Sequence, residues 1–514
     1  MASKERLLLG IDIGATSIKA GVFTPQGRLV GLAARPNGPK PEPGGQEGWL
    51  IWDAEEIWGK ACACVRQAAA EAAAAGQVLG VSVTGFGTDG TPLDDHGHQL
   101  YPIISWHDSR CLPQRDWLNE KVGPYRIYEI TGYHNYPINA LNRWMWLKEN
   151  APEALARCRH WLQVQDYIAF RLSAGYSTDC TIASTTMALD LRTRTWSTEL
   201  LEAAGIDPSM LSPASEGGTK IGEVTQAAAE RTGLPVGAAV VTGGHDCEMA
   251  TLGAGVVEEE TFVDITGTWE IILANLDHFT PSREAFAAGL DHECHAFPGY
   301  YNCQGLMLAG GVVEWVRSHF YRETPEPERA YATMLEEAEA TPLGCDGVVV
   351  LPAFVRGMGP AQAHDPLGTI LGLRTTTQRG QVVRATFEAT CFQLRQQLEA
   401  IERCHDLKAE SLRAVGGAQK NPLWLQMKAD VTGRTVQAPL HEEITLLGAA
   451  ILAGVGSGVY ADVREALRTI PFPLTTYEPD GRRFEQYGDL YSRVYLKIAE
   501  SLEPVYRAVH ASQR

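Results

Sequence analysis

A two-domain α/β fold is what this sequence predicts, on three observations. Apolar runs of strand length alternate with longer helix-like segments in both halves of the chain. Its 514 residues exceed the usual size of one domain. A strand-turn stretch near the start, Leu9-Gly-Ile-Asp12-Ile-Gly14-Ala-Thr16-Ser17-Ile-Lys19, has a second version about 250 residues on, Phe262-Val-Asp264-Ile-Thr-Gly267-Thr268-Trp-Glu-Ile271. Setting Asp12 against Asp264 places Thr16 on Thr268, as two related halves require.

The elements follow in order. Residues 7–34 read as a meander of two or three strands with a turn at Thr24-Pro-Gln-Gly27. Residues 53–76 read as a helix, with Asp53 as its cap, Glu56 three positions on as in a capping box, and alanines at its end. Val78 to Thr84 returns to strand, and a turn near Leu93-Asp-Asp-His-Gly97 precedes Tyr101-Pro-Ile-Ile-Ser105. A largely helical zone covers residues 139–172. Loops and helices mix over residues 176–235, then Leu234-Pro-Val-Gly237 turns into a strand from Ala238 to Thr242. The domain boundary is placed near residue 256, giving domains of residues 1–256 and 257–514, with late helices at 379–404, 421–433 and 444–455.

Composition excludes several classes. The net charge of -18 argues against a nucleic-acid surface, which needs a basic stripe. It also repels anions at long range, so any phosphate site must be built locally from backbone amides, metal and a few cations. No apolar stretch of membrane-spanning length and no leader-like segment occurs, so a cytoplasmic protein is expected. Eleven scattered cysteines suit a reducing compartment. His292-Glu-Cys294-His295 gathers possible metal ligands but lacks the paired spacing of a structural zinc site. A homodimer is the commonest prior for such a chain.

The chemistry in the repeated hairpin is that of phosphate binding. Gly14 and Gly267 permit a tight turn with φ > 0 and bring backbone N–H groups near an anion. Thr16, Ser17, Thr266 and Thr268 add hydroxyl donors. Asp12 could hold Mg²⁺, and Lys19 could offset phosphate charge. Two ordinary glycine turns are the alternative. At Gly243-Gly-His245-Asp246, small residues end a strand where an α/β sheet presents its ligands, so Asp246 suits a general base. The same spacing also fits a helix cap.

With Leu308-Ala-Gly310-Gly311-Val-Val-Glu314-Trp315 and Val415-Gly416-Gly417-Ala418-Gln-Lys-Asn421-Pro-Leu-Trp424, these motifs in this order resemble the FGGY carbohydrate kinase family. The resemblance covers nearly the whole chain. It implies two ribonuclease H-like domains of the actin and Hsp70 ATPase type around a central cleft, with ATP, Mg²⁺ and a sugar as ligands. The first domain would bind sugar and carry the base, Asp246; the second would bind nucleotide. Asp89, Trp106, Asp108, Arg110 and His245 would contact the sugar. Gly14, Thr16, Ser17, Lys19, Gly267, Thr268, Gly310 and Glu314 would surround phosphates and ribose, and Gly416, Gly417, Ala418 and Asn421 would border adenine.

Within the family the likeness is to its L-fuculokinase branch, through Val83-Thr-Gly-Phe-Gly-Thr88-Asp89-Gly90, Tyr101 to Trp106, Trp146 to Asn150, Gly267 to Ile271 and Gly311 to Arg317. Thr88 departs from the valine expected there. Kinases for L-rhamnulose, xylulose or ribulose, and a sugar-sensing ATPase that has lost phosphoryl transfer, are the alternatives. Asp246 and Asp89 together favour the enzyme.

Overall fold

The computed structural model describes residues 5–355 and 364–512. Six strands form the first sheet: β1 (Glu5–Ile13), β2 (Ser17–Phe23), β3 (Leu29–Pro36), β4 (Gly76–Gly85), β5 (Lys220–Glu223) and β6 (Ala239–His245), in the order β5-β6-β4-β1-β2-β3. Seven form the second: β7 (Thr261–Thr266), β8 (Trp269–Leu276), β9 (Leu290–Cys294), β10 (Tyr301–Leu308), β11 (Ser411–Gly416), β12 (Thr435–Pro439) and β13 (Leu474–Tyr477), in the order β9-β10-β8-β7-β11-β12-β13. Both contain an antiparallel trio, β1-β2-β3 and β7-β8-β10, continued by two parallel strands and closed by an antiparallel edge. The second adds β9 beyond the trio. The internal repeat is therefore one of topology as well as sequence.

Helices complete five layers. Leu7, Leu9, Ile11 and Ile13 of β1 share a core with α1 (Ala54–Ala72) on the outer face of the first sheet. Leu8 points the other way, into a core shared with α2 (Asp246–Gly253) and α6 (Ile444–Gly456), because side chains alternate along a strand. The second sheet packs its inner face on α2 through Val263 and Leu273. Its outer face is covered by α4 (Arg379–His405) and α5 (Pro422–Thr432). A shorter helix, α3 (Gly310–Phe320), follows β10.

The two central helices tie the halves together. Helix α2 leaves the first sheet and packs on both sheets, whereas α6 comes from the second half and covers β1, β4 and β6 of the first. Their approach is backbone to backbone: a Cβ at Gly253 would lie 1.9 Å from the Ile444 carbonyl oxygen, and one at Gly448 would lie 1.9 Å from that of Met249. Any side chain at either position forces the helices apart.

Several local expectations are refined. Asp53 caps α1 by accepting from the N–H groups of Glu55 and Glu56 at 3.0 Å, but Glu56 pairs with Lys40 and Lys60 instead of closing a capping box. The zone 139–172 is broken by Pro152 and by a short strand, His160–Gln163. The strand expected at 238–242 runs on to His245. Gly14 and Gly267 are absent from the left-handed region in which φ is positive. Gly14 is instead required by crowding, since a Cβ there would meet the Ser17 carbonyl oxygen at 2.7 Å. Among the described residues no helix is long and apolar enough to cross a membrane.

Candidate active site

Strand alternation and strand ends bring the candidate residues together. Asp12 shares the inward face of β1 with Leu8, and Asp246 opens α2 at the end of β6, two strands away. Across the gap lies the turn after β7. These residues line a cavity of about 510 Å³ with Thr16, Trp106, Gly267 and Thr268. The space is large enough for small ligands and touches both sheets.

The sequence alignment of the two hairpins needs a correction here. Ile265, not Asp264, lines the cavity opposite Asp12. Asp264 is fully buried and bound to Lys428 of α5, on the outer face of its sheet. The turns differ by one residue: the Gly14 N–H donates to the Ser17 carbonyl, the Gly267 N–H to that of Trp269. Matching glycine to glycine sets Asp12 on Ile265, and a one-residue slip reverses the face that every side chain occupies.

The cleft carboxylates are electrostatically poised. Burial pushes the Asp12 carboxyl up to about 8, with the negative charge of Asp246 adding to it and Lys19 opposing it. Asp12 Oδ1 is buried and lacks a hydrogen-bond donor. A hard divalent cation satisfies that orphaned oxygen and relieves its repulsion with Asp246, so the donor set fits Mg²⁺. Asp246 is 41% exposed to the cleft, but the surrounding walls desolvate it and raise its pKa, against the stabilising effects of His245 and the Cys247 N–H. Its side chain is not the cap of α2; that position is held by His245. Lys19, expected to face phosphate, is bound by both carboxylate oxygens of Glu443, at 2.8 and 3.0 Å.

The sugar-side candidates separate into a surface and its supports. Trp106 lines the cavity, stacked on His107 with ring centroids 3.7 Å apart. Asp89 is fully buried behind it. It accepts from the Trp106 N–H at 2.9 Å, Trp52 Nε1 at 2.6 Å, Thr88 Oγ1 at 2.9 Å and Arg143 Nη1 at 2.7 Å. Asp108 and Arg110 form a buried pair at 2.6 Å, which Glu42 extends and Trp49 covers. Neither lines the cavity. In this conformation these three charges shape the Trp106 loop from behind.

Among the residues expected at the nucleotide, two glycine segments, at Gly310 and at Gly416-Gly417, converge behind the Gly267 turn. A Cβ at Gly310 would lie 2.2 Å from the Gly267 carbonyl oxygen, and one at Gly416 would lie 2.5 Å from that of Thr266. Gly416 has φ of 86°, which favours glycine, and Gly417 follows it against the same carbonyl. Ser17 holds the first turn through its carbonyl. Ala418 is buried. The Asn421 amide is engaged, accepting from the Trp424 N–H and donating to the Tyr331 hydroxyl, each at 3.0 Å. Glu314 is exposed and paired with Arg317.

Sequence reasoning missed Asn37, whose amide holds the Gly14 carbonyl at 2.9 Å, and Thr445 at the start of α6; both line the cavity. It also missed Glu293. This buried residue bonds to His245 Nδ1 at 3.0 Å, and burial pushes its carboxyl up to about 8. Its segment stood out only as a possible metal cluster, because the partnership joins residues 48 apart on different sheets.

The N-terminal domain model of the FGGY family of carbohydrate kinases matches residues 7–253, and the C-terminal domain model matches residues 263–457. An L-fuculokinase of Escherichia coli is 32% identical over 93% of this chain and 98% of its own length. An autoinducer-2 kinase of Klebsiella pneumoniae is 29% identical over 96% and 94%. The crystal structure of a xylulose kinase from Rhodospirillum rubrum superimposes with a TM-score of 0.86 at 26% identity, covering 98% of this chain and all of that one.

Proposed function

The chain belongs to the FGGY family of carbohydrate kinases, and from that premise we propose that it transfers the γ-phosphoryl group of ATP to a primary hydroxyl of a ketose, L-fuculose, giving L-fuculose 1-phosphate. The observation that carries the reaction is the meeting of Asp246 and Asp12 in one cleft beside the Gly267-Thr268 turn. The substrate assignment rests on the 32% identity to an L-fuculokinase over nearly the whole chain.

Asp246 orients the sugar hydroxyl and takes its proton as the new O–P bond forms and the bond from the γ-phosphorus to ADP breaks. Its raised pKa makes it a better proton acceptor than an ordinary surface carboxylate. Trp106 offers a face to the C–H surface of the sugar, and Asp89 fixes its backbone. Asp12 would hold Mg²⁺, which when bound neutralises charge on the phosphates. The Gly267-Thr268 turn, with little side-chain bulk, lets phosphate approach the backbone.

The test is ADP release with Mg·ATP across L-fuculose, L-rhamnulose, D- and L-xylulose, D-ribulose and glycerol. A preference for L-fuculose is expected; a preference for another ketose would replace the substrate, and no response to any would sink the reading. Asp246→Asn should bind ATP and sugar as the parent does while losing roughly 10²–10⁴ in turnover, the usual worth of a general base.

A further inference from the structure

Beside the proposed base stands a hydrogen-bonded chain that joins the two sheets. Glu293, on β9 of the second sheet, is fully buried. One carboxylate oxygen accepts from Gln304 Nε2 at 2.8 Å and from the Tyr133 hydroxyl. The other faces His245 Nδ1 at 3.0 Å. His245 ends β6 of the first sheet, and its Nε2 lies 3.5 Å from Asp246 Oδ1. The Cys247 thiol, 3.1 Å from the same Nδ1, is a much weaker partner than a carboxylate.

We propose that Glu293 is a positioning residue for phosphoryl transfer, acting through His245 on the space beside Asp246. This rests on the kinase reading. A carboxylate held at one oxygen by two donors has its second oxygen fixed, and a ring bonded to that oxygen has its plane fixed in turn. When Nδ1–H donates to Glu293, Nε2 presents a lone pair. Two acceptors, Nε2 and Asp246 Oδ1, then stand 3.5 Å apart. Neither can bond the other without a proton, so a ligand carrying two neighbouring hydroxyls matches them: one donates to Asp246 and reacts, and its neighbour donates to His245. Gly87 keeps that space open, since a Cβ there would come within 3.1 Å of Nε2. Because Glu293 and His245 belong to different sheets, the ring is aligned only when the sheets are correctly juxtaposed.

The experiment compares Glu293→Gln, His245→Ala and the double variant in the full chain, using the sugar that the parent phosphorylates best. Glu293→Gln should lower kcat roughly tenfold or more while KM for ATP stays within about twofold, as expected when an orienting partner is removed. The double variant should be no slower than the slower single variant, because Glu293 acts through the ring. Losses that multiply in the double variant, or a Glu293→Gln turnover close to the parent, would overturn the proposal. Imidazole ¹⁵N NMR, with the His245 signal identified by its loss in His245→Ala, reads the bond without turnover. Above about pH 8, where Glu293 is ionised, the parent should carry its proton on Nδ1 and Glu293→Gln should change that tautomer balance; an unchanged signal overturns the positioning role. A parent that phosphorylates no sugar defeats the kinase reading instead.

Discussion

The two glycine hairpins differ in what faces the cleft. In the first, the inward residue is Asp12, with an unsatisfied oxygen and a raised pKa. In the second, the inward residue is Ile265, and the nearby carboxylate, Asp264, has turned into the outer core. There Lys428 Nζ lies 2.5 Å from both Asp264 and Glu270 and 2.6 Å from Thr266. One hairpin leaves room for an exchangeable cation; the other is neutralised permanently by an ammonium group of the chain itself. A duplicated turn need not mean duplicated chemistry, since one residue of register decides which face receives the charge.

Asp12→Asn is the sharpest test of that contrast. It should cut kcat by roughly 10²–10³ or more, in the range of losing a principal electrostatic contact in the transition state, without lowering thermal stability. The sign follows from the raised pKa: the Asp12 carboxylate destabilises the cation-free fold increasingly as pH rises from the ordinary carboxylate range towards 8. Any gain from the amide should therefore be largest near pH 8 and vanish near pH 4. A variant that unfolds at neutral pH would break the comparison.

Lys428→Met should do the reverse. It leaves Asp264 and Glu270 buried without their cation, at a cost of about 3–5 kcal/mol, visible in denaturant unfolding. The surviving folded fraction should retain most of its turnover. Severe loss of kcat in well-folded protein would give the second hairpin a catalytic part.

The gentlest test is pH. Below about 8 a proton competes with the cation for Asp12, so Mg²⁺ affinity should fall by up to roughly tenfold per pH unit as pH drops. Calorimetry of Mg²⁺ binding in buffers of different ionisation enthalpy should detect proton release, and Asp12→Asn should abolish it.

Features set by neighbours in sequence were legible. The apolar run Leu7-Leu8-Leu9 marked a strand, Asp53 marked the start of α1, and the Gly-His-Asp segment marked the end of β6. Partnerships between distant residues were not. Lys19 meets Glu443 and His245 meets Glu293 across the two halves, and Asp264 meets Lys428 across more than 160 residues of the second. Asp108 and Arg110 were read as sugar contacts and not as a buried pair, because Glu42 and Trp49 reach them from an earlier loop. The equivalence of Asp12 and Asp264 misled for a related reason: sequence spacing carries no record of which face a strand turns to the core.

The central helices also bear on how the chain is made. Synthesis runs from the N-terminus, and the first sheet has all six strands once residue 245 is available. Its inner face, however, must wait for α6, whose last residue is Gly456. For some 200 residues of translation, at about 5–20 residues per second, that apolar surface has only α2 as native cover. A fragment ending near residue 256 should therefore aggregate or bind chaperones, and supplying the second half separately should rescue it only if α6 can still insert.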